Sequence, residues 1–203
     1  PIKIGRVLIR PSWRTVSLNS DEIELIIDPK QAFGTGHHAT TQLLIEWLQQ
    51  AVRSYDRVLD VGTGSGILAM VALRLGATEA LGVDFDAVAV DCAREYAQVN
   101  GFDTRLTLAV GQAQAPQAHD AFDPTLVLAN LDRQTLLTSA DSLCAYAVRG
   151  ARLFLSGLLA EQRSEIEAAY ATRGVYMKAV RERDGWLALE ATAMETCEGG
   201  LCS

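Results

Sequence analysis

Three closely spaced glycines and two aspartates form the residue pattern with the clearest chemical meaning in this chain. Gly62, Gly64 and Gly66 follow Asp60, which ends a short apolar run, and Asp84 ends the next apolar run. Glycine allows backbone conformations and close approaches that a Cβ atom forbids. A carboxylate about 20 residues beyond such a turn can accept hydrogen bonds from ribose hydroxyls. The pattern predicts a turn that binds a cofactor containing a ribose.

The spacing of the glycines distinguishes between two classes of cofactor. The dinucleotide fingerprint G-x-G-x-x-G needs its third glycine at position 67, where Ile67 stands. The G-x-G-x-G order after Asp60 instead resembles motif I of S-adenosylmethionine-dependent methyltransferases. A nicotinamide-dependent oxidoreductase remains an alternative through the predicted sheet and Asp84 alone, which is an analogy of fold. A glycine-rich turn that binds nothing is the other alternative.

A second candidate for ligand binding is the loop at 28–41, which precedes an amphipathic helix. Thr35, Thr40 and Thr41 place hydroxyls near the start of that helix. Free N–H groups at a helix start attract a carboxylate, and the methionine part of the cofactor carries one. The loop therefore predicts a contact with that part of the cofactor.

The histidines and cysteines predict no metal site. His37 and His38 are adjacent in the loop, so their side chains point in opposite directions, and we expect them to structure the loop or close over the cofactor rather than to bind a metal or act as a base. Cys92 and Cys144 fall in helical patterns and suit a core. The cysteine pair at 197–202 lies in a glycine-rich segment that we expect to be a flexible tail, with a metal clip or redox pair as the alternative.

Strands and helices alternate along the chain. Apolar runs suited to strands buried on both faces occur at 58–61, 80–83, 106–110, 125–129 and 153–155. Helical segments lie between and after them, at 66–75, 87–100, 133–147 and 160–173. A further strand is predicted at 23–27, and an antiparallel hairpin at 175–181 and 186–192. The chain is thus predicted to be an α/β protein with a Rossmann-like, mostly parallel seven-stranded sheet, helices on both faces and a C-terminal antiparallel hairpin.

Length and charge exclude several partners. The chain has 203 residues, enough for one enzyme-sized core, and a net charge of −7, which argues against nucleic acid as a partner. No apolar stretch is long enough to span a membrane and no signal-peptide pattern occurs, so we expect a cytoplasmic protein without a membrane partner. The oligomeric state stays open.

Longer blocks of sequence resemble the ribosomal protein L11 methyltransferase family. These blocks are A-F-G-T-G-x-H-x-T-T at 32–41, D-x-G-x-G-S-G-I-L-A at 60–69, G-V-D-F-D at 82–86, A-N-L at 129–131 and L-S-G-L at 155–158. The resemblance implies a class I methyltransferase fold and S-adenosyl-L-methionine as the methyl donor. It places the cofactor contacts at Thr41, Gly62, Asp84 and Asn130, with Phe33, Thr35, Gly36 and Gly64 close by.

Asn130 is the predicted catalytic residue, because it follows the fourth parallel strand of the predicted sheet at the edge where ligands bind. Its side-chain oxygen would accept a hydrogen bond from the acceptor amine; the alternative is an asparagine that caps the next helix. The three tryptophans, Trp13, Trp47 and Trp186, are too dispersed to predict an aromatic cage, and Trp47 is expected in the core.

The domain prediction has three parts: an N-terminal linker and β segment at 1–30, the methyltransferase domain at 31–193 and a flexible tail at 194–203. The family has a separate N-terminal domain that presents the ribosomal protein, and 1–13 resembles only the linker to it. We expect that domain to have been lost or removed, or the chain to belong to a branch with another substrate. Asp132 and Arg133 also depart from the apolar or small residues usual in the family, so the acceptor side can differ.

The predicted function is a methyltransferase acting on a protein nitrogen, a lysine or an α-amine, of ribosomal protein L11 or of another protein. A small-molecule N- or O-methyltransferase is the first alternative. An inactive cofactor-binding partner subunit is the second.

Overall fold

The computed structural model describes residues 1–28, 36–112 and 122–194. Its main sheet has seven strands: β4 (Arg57–Val61), β5 (Glu79–Asp84), β6 (Leu106–Val110), β7 (Leu126–Asn130), β8 (Arg152–Leu159), β9 (Val175–Arg183) and β10 (Trp186–Ala193). The strand order is β6-β5-β4-β7-β8-β10-β9. The first five strands in this order run parallel, whereas β10 is antiparallel to both of its neighbours. The predicted mostly parallel sheet with a C-terminal hairpin is confirmed.

Helices cover both faces of the main sheet. They are α1 (Ala39–Ala51), α2 (Ile67–Arg74), α3 (Ala87–Val99), α4 (Arg133–Thr138), α5 (Ala140–Val148) and α6 (Arg163–Ala171). Side chains alternate between the faces of a strand, and here Val58 joins the core under α1 and α2 whereas its neighbour Leu59 joins the core under α5. Two buried apolar clusters therefore hold the sheet from opposite sides, as strands that are apolar on both faces require.

A second, three-stranded sheet precedes the main one. It consists of β1 (Ile2–Ile4), β2 (Val7–Arg10) and β3 (Ile23–Ile26), with β1 and β2 antiparallel and β2 and β3 parallel. Gln49 on α1 binds the turn between β1 and β2, since its amide accepts from the Arg6 N–H and donates to the Ile4 carbonyl. Ile4 and Leu25 pack in the same core as α1 and α2, so this sheet is fastened to the helix that leads out of the 28–41 loop.

One predicted helix is interrupted. The segment at 133–147 forms two helices, α4 and α5, which break at Ser139. The hydroxyl of Thr138 donates back to the carbonyls of Gln134 and Thr135, an arrangement that bends helices. The buried Ser139 hydroxyl finds no hydrogen-bond partner in the described residues. The period of apolar residues continues through the break, which is why the sequence pattern shows one helix.

None of the helices in the three described ranges is both long and apolar enough to cross a membrane.

Candidate active site

A cavity of about 960 Å³ opens at the edge of the main sheet where the parallel strands end. Ligands of open α/β sheets bind at this edge. The part of the cavity over β4, β5 and β6 is lined by Gly62, Gly64, Asp84, Phe85, Gly111 and Gln112. The part over β7, β8 and β10 is lined by Asn130, Leu131, Asp132, Gly157 and Trp186, with His38 and Thr40 from the start of α1. The two halves bring together residues that are more than 100 positions apart.

The glycine turn between β4 and α2 needs its glycines for conformational reasons. Gly62, Gly64 and Gly66 have φ angles of 71°, 54° and 78°, values that L side chains rarely adopt. A Cβ on Gly62 would also lie 2.3 Å from the Leu131 side chain. The Gly62 N–H donates to the Val83 carbonyl at 2.8 Å, which ties the turn to the end of β5. The predicted cofactor turn therefore lies open to the cavity in a fixed shape.

Asp84 joins this turn to the cavity. One carboxylate oxygen accepts from the Gly64 N–H at 2.8 Å and the other accepts from the Asp86 N–H at 3.0 Å. The residue is 8% exposed and lines the cavity. Its carboxylate is thus oriented by two backbone N–H groups, at the strand end where the sequence predicts a ribose contact.

Asp60 lies buried beneath the glycine turn. One of its oxygens accepts from the Thr63 hydroxyl at 2.8 Å and from the Ala69 N–H at 3.2 Å, and the other has no hydrogen-bond partner among the described residues. Burial raises the pKa of Asp60 from 3.8 to about 6, the Thr63 and Ala69 hydrogen bonds lower it, and the negative charge of Asp84 adds to the rise. Two carboxylates around one turn make the local potential negative, which suits a positively charged ligand.

Asn130 faces the same cavity from the end of β7. Its side-chain N–H₂ donates to the Thr41 hydroxyl at 3.3 Å, so the amide oxygen remains available as an acceptor. The helix that follows is capped by Asp132, which accepts from the Thr135 N–H at 3.0 Å. Asn130 is therefore not the cap of that helix, and the alternative interpretation from sequence is wrong.

His38 has a structural role at the start of α1. It is the N-cap of the helix, and its Nδ1 accepts from the Thr40 N–H at 3.4 Å. Gly36, two residues earlier, has a φ of 84°, and a Cβ there would lie 2.6 Å from the end of the Ile9 side chain. Gly36 and Thr41 are both buried, and Thr41 contacts Asn130. The predicted contacts Phe33 and Thr35 lie outside the described residues, as does the predicted tail from position 195 on.

Trp186 is a cavity residue that the sequence interpretation missed. It begins β10 and meets His38 edge to face, with ring centroids 4.8 Å apart and an angle of 70° between the rings. The sequence offered one indication, the position of Trp186 directly after the Asp184-Gly185 turn of the predicted hairpin. A strand that runs antiparallel to the rest of the sheet begins at the edge where the parallel strands end. Trp47, in contrast, is core as predicted, at 5% exposure.

The charge of the cavity is one-sided. Three carboxylates, those of Asp84, Asp86 and Asp132, line it, and no lysine or arginine occurs among its described lining residues. Hydrogen bonds from Thr135 hold the pKa of Asp132 below its ordinary value, so this group is anionic at neutral pH. In the described ranges no group of three or more histidines, cysteines and acids could bind a metal ion. The cavity is suited to cations rather than to anions.

Comparison with known proteins identifies the family. A family model described as "Ribosomal protein L11 methyltransferase (PrmA)" matches residues 1–194. The chain belongs to the ribosomal protein L11 methyltransferase family. The family's fold is the methyltransferase fold predicted from sequence, and the recognised resemblance is confirmed.

Individual family members show the extent of the match. The ribosomal protein L11 methyltransferase of Ralstonia pickettii is 44% identical over 190 residues, covering 93% of this chain and 61% of that protein. The one of Chromohalobacter salexigens is 40% identical over 195 residues, covering 95% of this chain and 63% of the relative. The chain thus spans less than two thirds of the length of these curated relatives.

A solved structure of the family is similar along nearly its whole length. The crystal structure of a ribosomal protein L11 methylase from Lactobacillus delbrueckii subsp. bulgaricus superposes with a TM-score of 0.81 at 29% identity, covering 93% of this chain and 95% of that one. The two chains therefore share their fold over nearly their whole length.

Proposed function

We propose that this chain is a methyltransferase that uses S-adenosyl-L-methionine to methylate an amine of a protein, with ribosomal protein L11 as the substrate that the family's name indicates. The observation that carries the proposal is that Gly62, Gly64 and Asp84 line the same cavity as Asn130. A cofactor site and an acceptor site at the same sheet edge are what a group transfer between two bound molecules requires.

The residues present fit the cofactor. The glycine turn leaves room for close approach by a ligand, and Asp84 presents an oriented carboxylate to ribose hydroxyls. Asp60 and Asp84 provide negative potential near the place where the cofactor's cationic groups would lie. S-adenosyl-L-methionine supplies an activated methyl group on a sulfonium, which is itself the leaving group.

The task of the protein is to align the acceptor with this methyl group. Asn130 is the residue that we assign to the acceptor: its oxygen accepts from the amine, while its N–H₂ group is anchored on Thr41. Alignment alone can lower the activation free energy by about 7–11 kcal/mol. A lysine must first lose its proton, which costs roughly 4 kcal/mol at neutral pH from a pKa of about 10.4, and an α-amine of pKa about 8 loses its proton far more readily.

Binding and transfer can be measured separately. We expect calorimetric titration to show micromolar binding of S-adenosylmethionine and S-adenosylhomocysteine, with no binding of NAD as the control. Incubation with methyl-labelled donor and purified ribosomal protein L11 should then label that protein. Label found only in small molecules of a cell extract would favour the small-molecule alternative, and absence of binding to both adenosyl compounds would refute the proposal as a whole.

Variants distinguish the two halves of the cavity. Asp84→Ala should weaken binding of S-adenosylhomocysteine at least tenfold, because hydrogen bonds to a charged group contribute about 1.5–3 kcal/mol. Asn130→Ala should leave that binding within about threefold and lower kcat at least tenfold, about 1.4 kcal/mol of lost transition-state stabilisation. Asn19→Ala, remote from the described cavity lining, is the control. Equal loss of binding and turnover in the Asn130 variant would contradict its assignment to the acceptor.

A further inference from the structure

Trp186 lies at the end of the cavity that is farthest from the predicted ribose contact. It begins β10, and β10 is separated from β5, which carries Asp84, by β4, β7 and β8. With strands about 4.8 Å apart, four spacings place the two residues roughly 19 Å from each other along the sheet edge. Asn130 on β7 lies between them. The cavity therefore continues past Asn130, away from Asp84, and Trp186 lines it there.

The position of the Trp186 ring is held by its surroundings. His38 packs edge to face against it and is itself fixed as the N-cap of α1. Arg183, the partner of Trp186 across the hairpin, donates two hydrogen bonds of 3.0 Å to the Glu46 carboxylate and one of 3.1 Å to Gln42. The ring is thus preorganised, and the guanidinium across the hairpin is engaged by a carboxylate on α1.

Gln42 connects this hairpin to the loop in front of α1. Its side-chain N–H₂ donates to the carbonyls of Gly36 and His37, while its oxygen accepts from Arg183. Gln42 therefore joins the loop before α1 to the hairpin that carries Trp186.

We infer that Trp186, backed by His38, is the acceptor wall of the cavity: the alkyl chain of a primary amine, such as a lysine side chain, lies along the indole while the amine reaches Asn130. The inference rests on the proposed function and specifies its acceptor. Trp186 is a specificity residue in this scheme, because it contacts the acceptor chain and takes no part in the transfer.

Chemistry at this end of the cavity favours such an acceptor over others. An indole offers a large apolar face to methylene groups and attracts a cation through its ring electrons. Asp132 adds an anionic carboxylate on the same side, and no lysine or arginine lines the described cavity. An anionic acceptor, such as a carboxylate or a phosphate ester, would find no countercharge among these residues.

Fluorine NMR can test the contact directly, because the chain contains only three tryptophans. Protein labelled with 5-fluorotryptophan should give three signals, assigned by replacing each tryptophan with phenylalanine. With S-adenosylhomocysteine bound, N-acetyl-lysine methylamide should shift the Trp186 signal saturably and leave those of Trp13 and Trp47 in place. N-acetyl-glutamate methylamide is the matched anionic probe and should shift none of them.

Two kinetic variants complete the test. With purified ribosomal protein L11 as acceptor, Trp186→Leu should raise KM for the acceptor about fivefold or more, and Trp186→Phe should raise it less, both with the Kd for S-adenosylhomocysteine within about twofold of the wild type. Trp13→Leu, an exposed tryptophan elsewhere, should change neither quantity.

The outcomes separate this inference from the function on which it rests. Binding of S-adenosylhomocysteine without any response of the Trp186 signal to the lysine probe would overturn the inference and leave the methyltransferase proposal standing. The inference also fails if the Trp186 variants weaken cofactor binding as much as acceptor binding, because Trp186 would then belong to the cofactor half. Failure of the wild type to bind S-adenosylhomocysteine would overturn both.

Discussion

Asp60 predicts an unusual dependence of stability on pH. The residue is 1% exposed, one carboxylate oxygen has no hydrogen-bond partner among the described residues, and its pKa is raised from 3.8 to about 6. A raised pKa in the folded state means that the folded protein binds more protons than the unfolded chain between about pH 4 and pH 6. The contribution of Asp60 to stability therefore falls as the pH rises through this interval and is constant above it.

The size of the effect follows from the shift. About two pKa units at 1.36 kcal/mol each amount to a destabilisation of about 3 kcal/mol at pH values above 6, relative to values below 4. About 1 kcal/mol of this destabilisation develops between pH 5 and pH 7.5. Asp60→Asn removes the charge and keeps the shape, so the lost hydrogen bonds add an offset that does not depend on pH. The free energy of unfolding of Asp60→Asn minus that of the wild type should therefore rise by about 1 kcal/mol from pH 5 to pH 7.5.

Urea unfolding at a series of pH values measures this difference, provided that the transition is reversible and two-state. Thr63→Val is the matched variant, because it removes the hydroxyl that lowers the pKa of Asp60. The pKa of Asp60 should then rise further, so the loss of stability with rising pH should continue to higher pH. Above pH 6 the variant should therefore be less stable than the wild type. A difference between Asp60→Asn and wild type that is flat from pH 5 to pH 7.5, or that falls, would refute the reasoning, because the buried charge would then cost nothing.

Two further predictions concern a glycine that lines the cavity and an ion pair at the opposite edge of the main sheet. Gly157 has a φ of 92°, and a Cβ there would lie 2.2 Å from the Leu131 carbonyl oxygen, so Gly157→Ala should cost about 3 kcal/mol or more by urea unfolding. Gly150→Ala, with a φ of 104° and open space around it, isolates backbone strain and should cost only about 1–2 kcal/mol; equal costs would show that the contact with Leu131 relaxes. Arg152→Ala breaks a 2.8 Å ion pair with the buried Asp56 and should cost about 3–5 kcal/mol by the same measurement, whereas a cost below about 1 kcal/mol, typical of exposed pairs, would contradict burial as the cause.

The elements of the main sheet could be predicted from the sequence because their signals are local. Apolar runs of three to five residues predicted each parallel strand. The glycine turn was recognisable because positive φ angles favour glycine wherever they occur. Local signals also misled at one place: the apolar period runs through Ser139, where α4 ends and α5 begins. The Thr138 hydroxyl donates to backbone carbonyls at this break, a contact that the apolar pattern does not show. The strand at 23–27 was predicted, whereas β1 and β2 of the same sheet were not predicted as individual strands and fall within the predicted N-terminal linker and β segment at 1–30.

The half of the cavity that we propose binds the cofactor was also visible in the sequence, since the glycine turn and Asp84 are only about 20 residues apart and belong to one β-α-β unit. Asn130 was chosen by its place after a strand, but sequence left open whether it caps a helix. The hydrogen bond to Thr41, 89 positions away, and the cap at Asp132 decide that question, and both depend on how distant elements pack.

What the sequence by itself determined about this protein is its family, its sheet and its glycine turn, because these depend on residue types and short spacings. What only the tertiary structure decided is the rest of the cavity. Trp186 meets His38 across 148 positions of sequence because β10 is inserted antiparallel beside β8, which brings a strand start to the edge where the other strands end. Such meetings depend on the order of strands in the sheet and not on any local pattern, and for that reason the three dispersed tryptophans gave no sign of them.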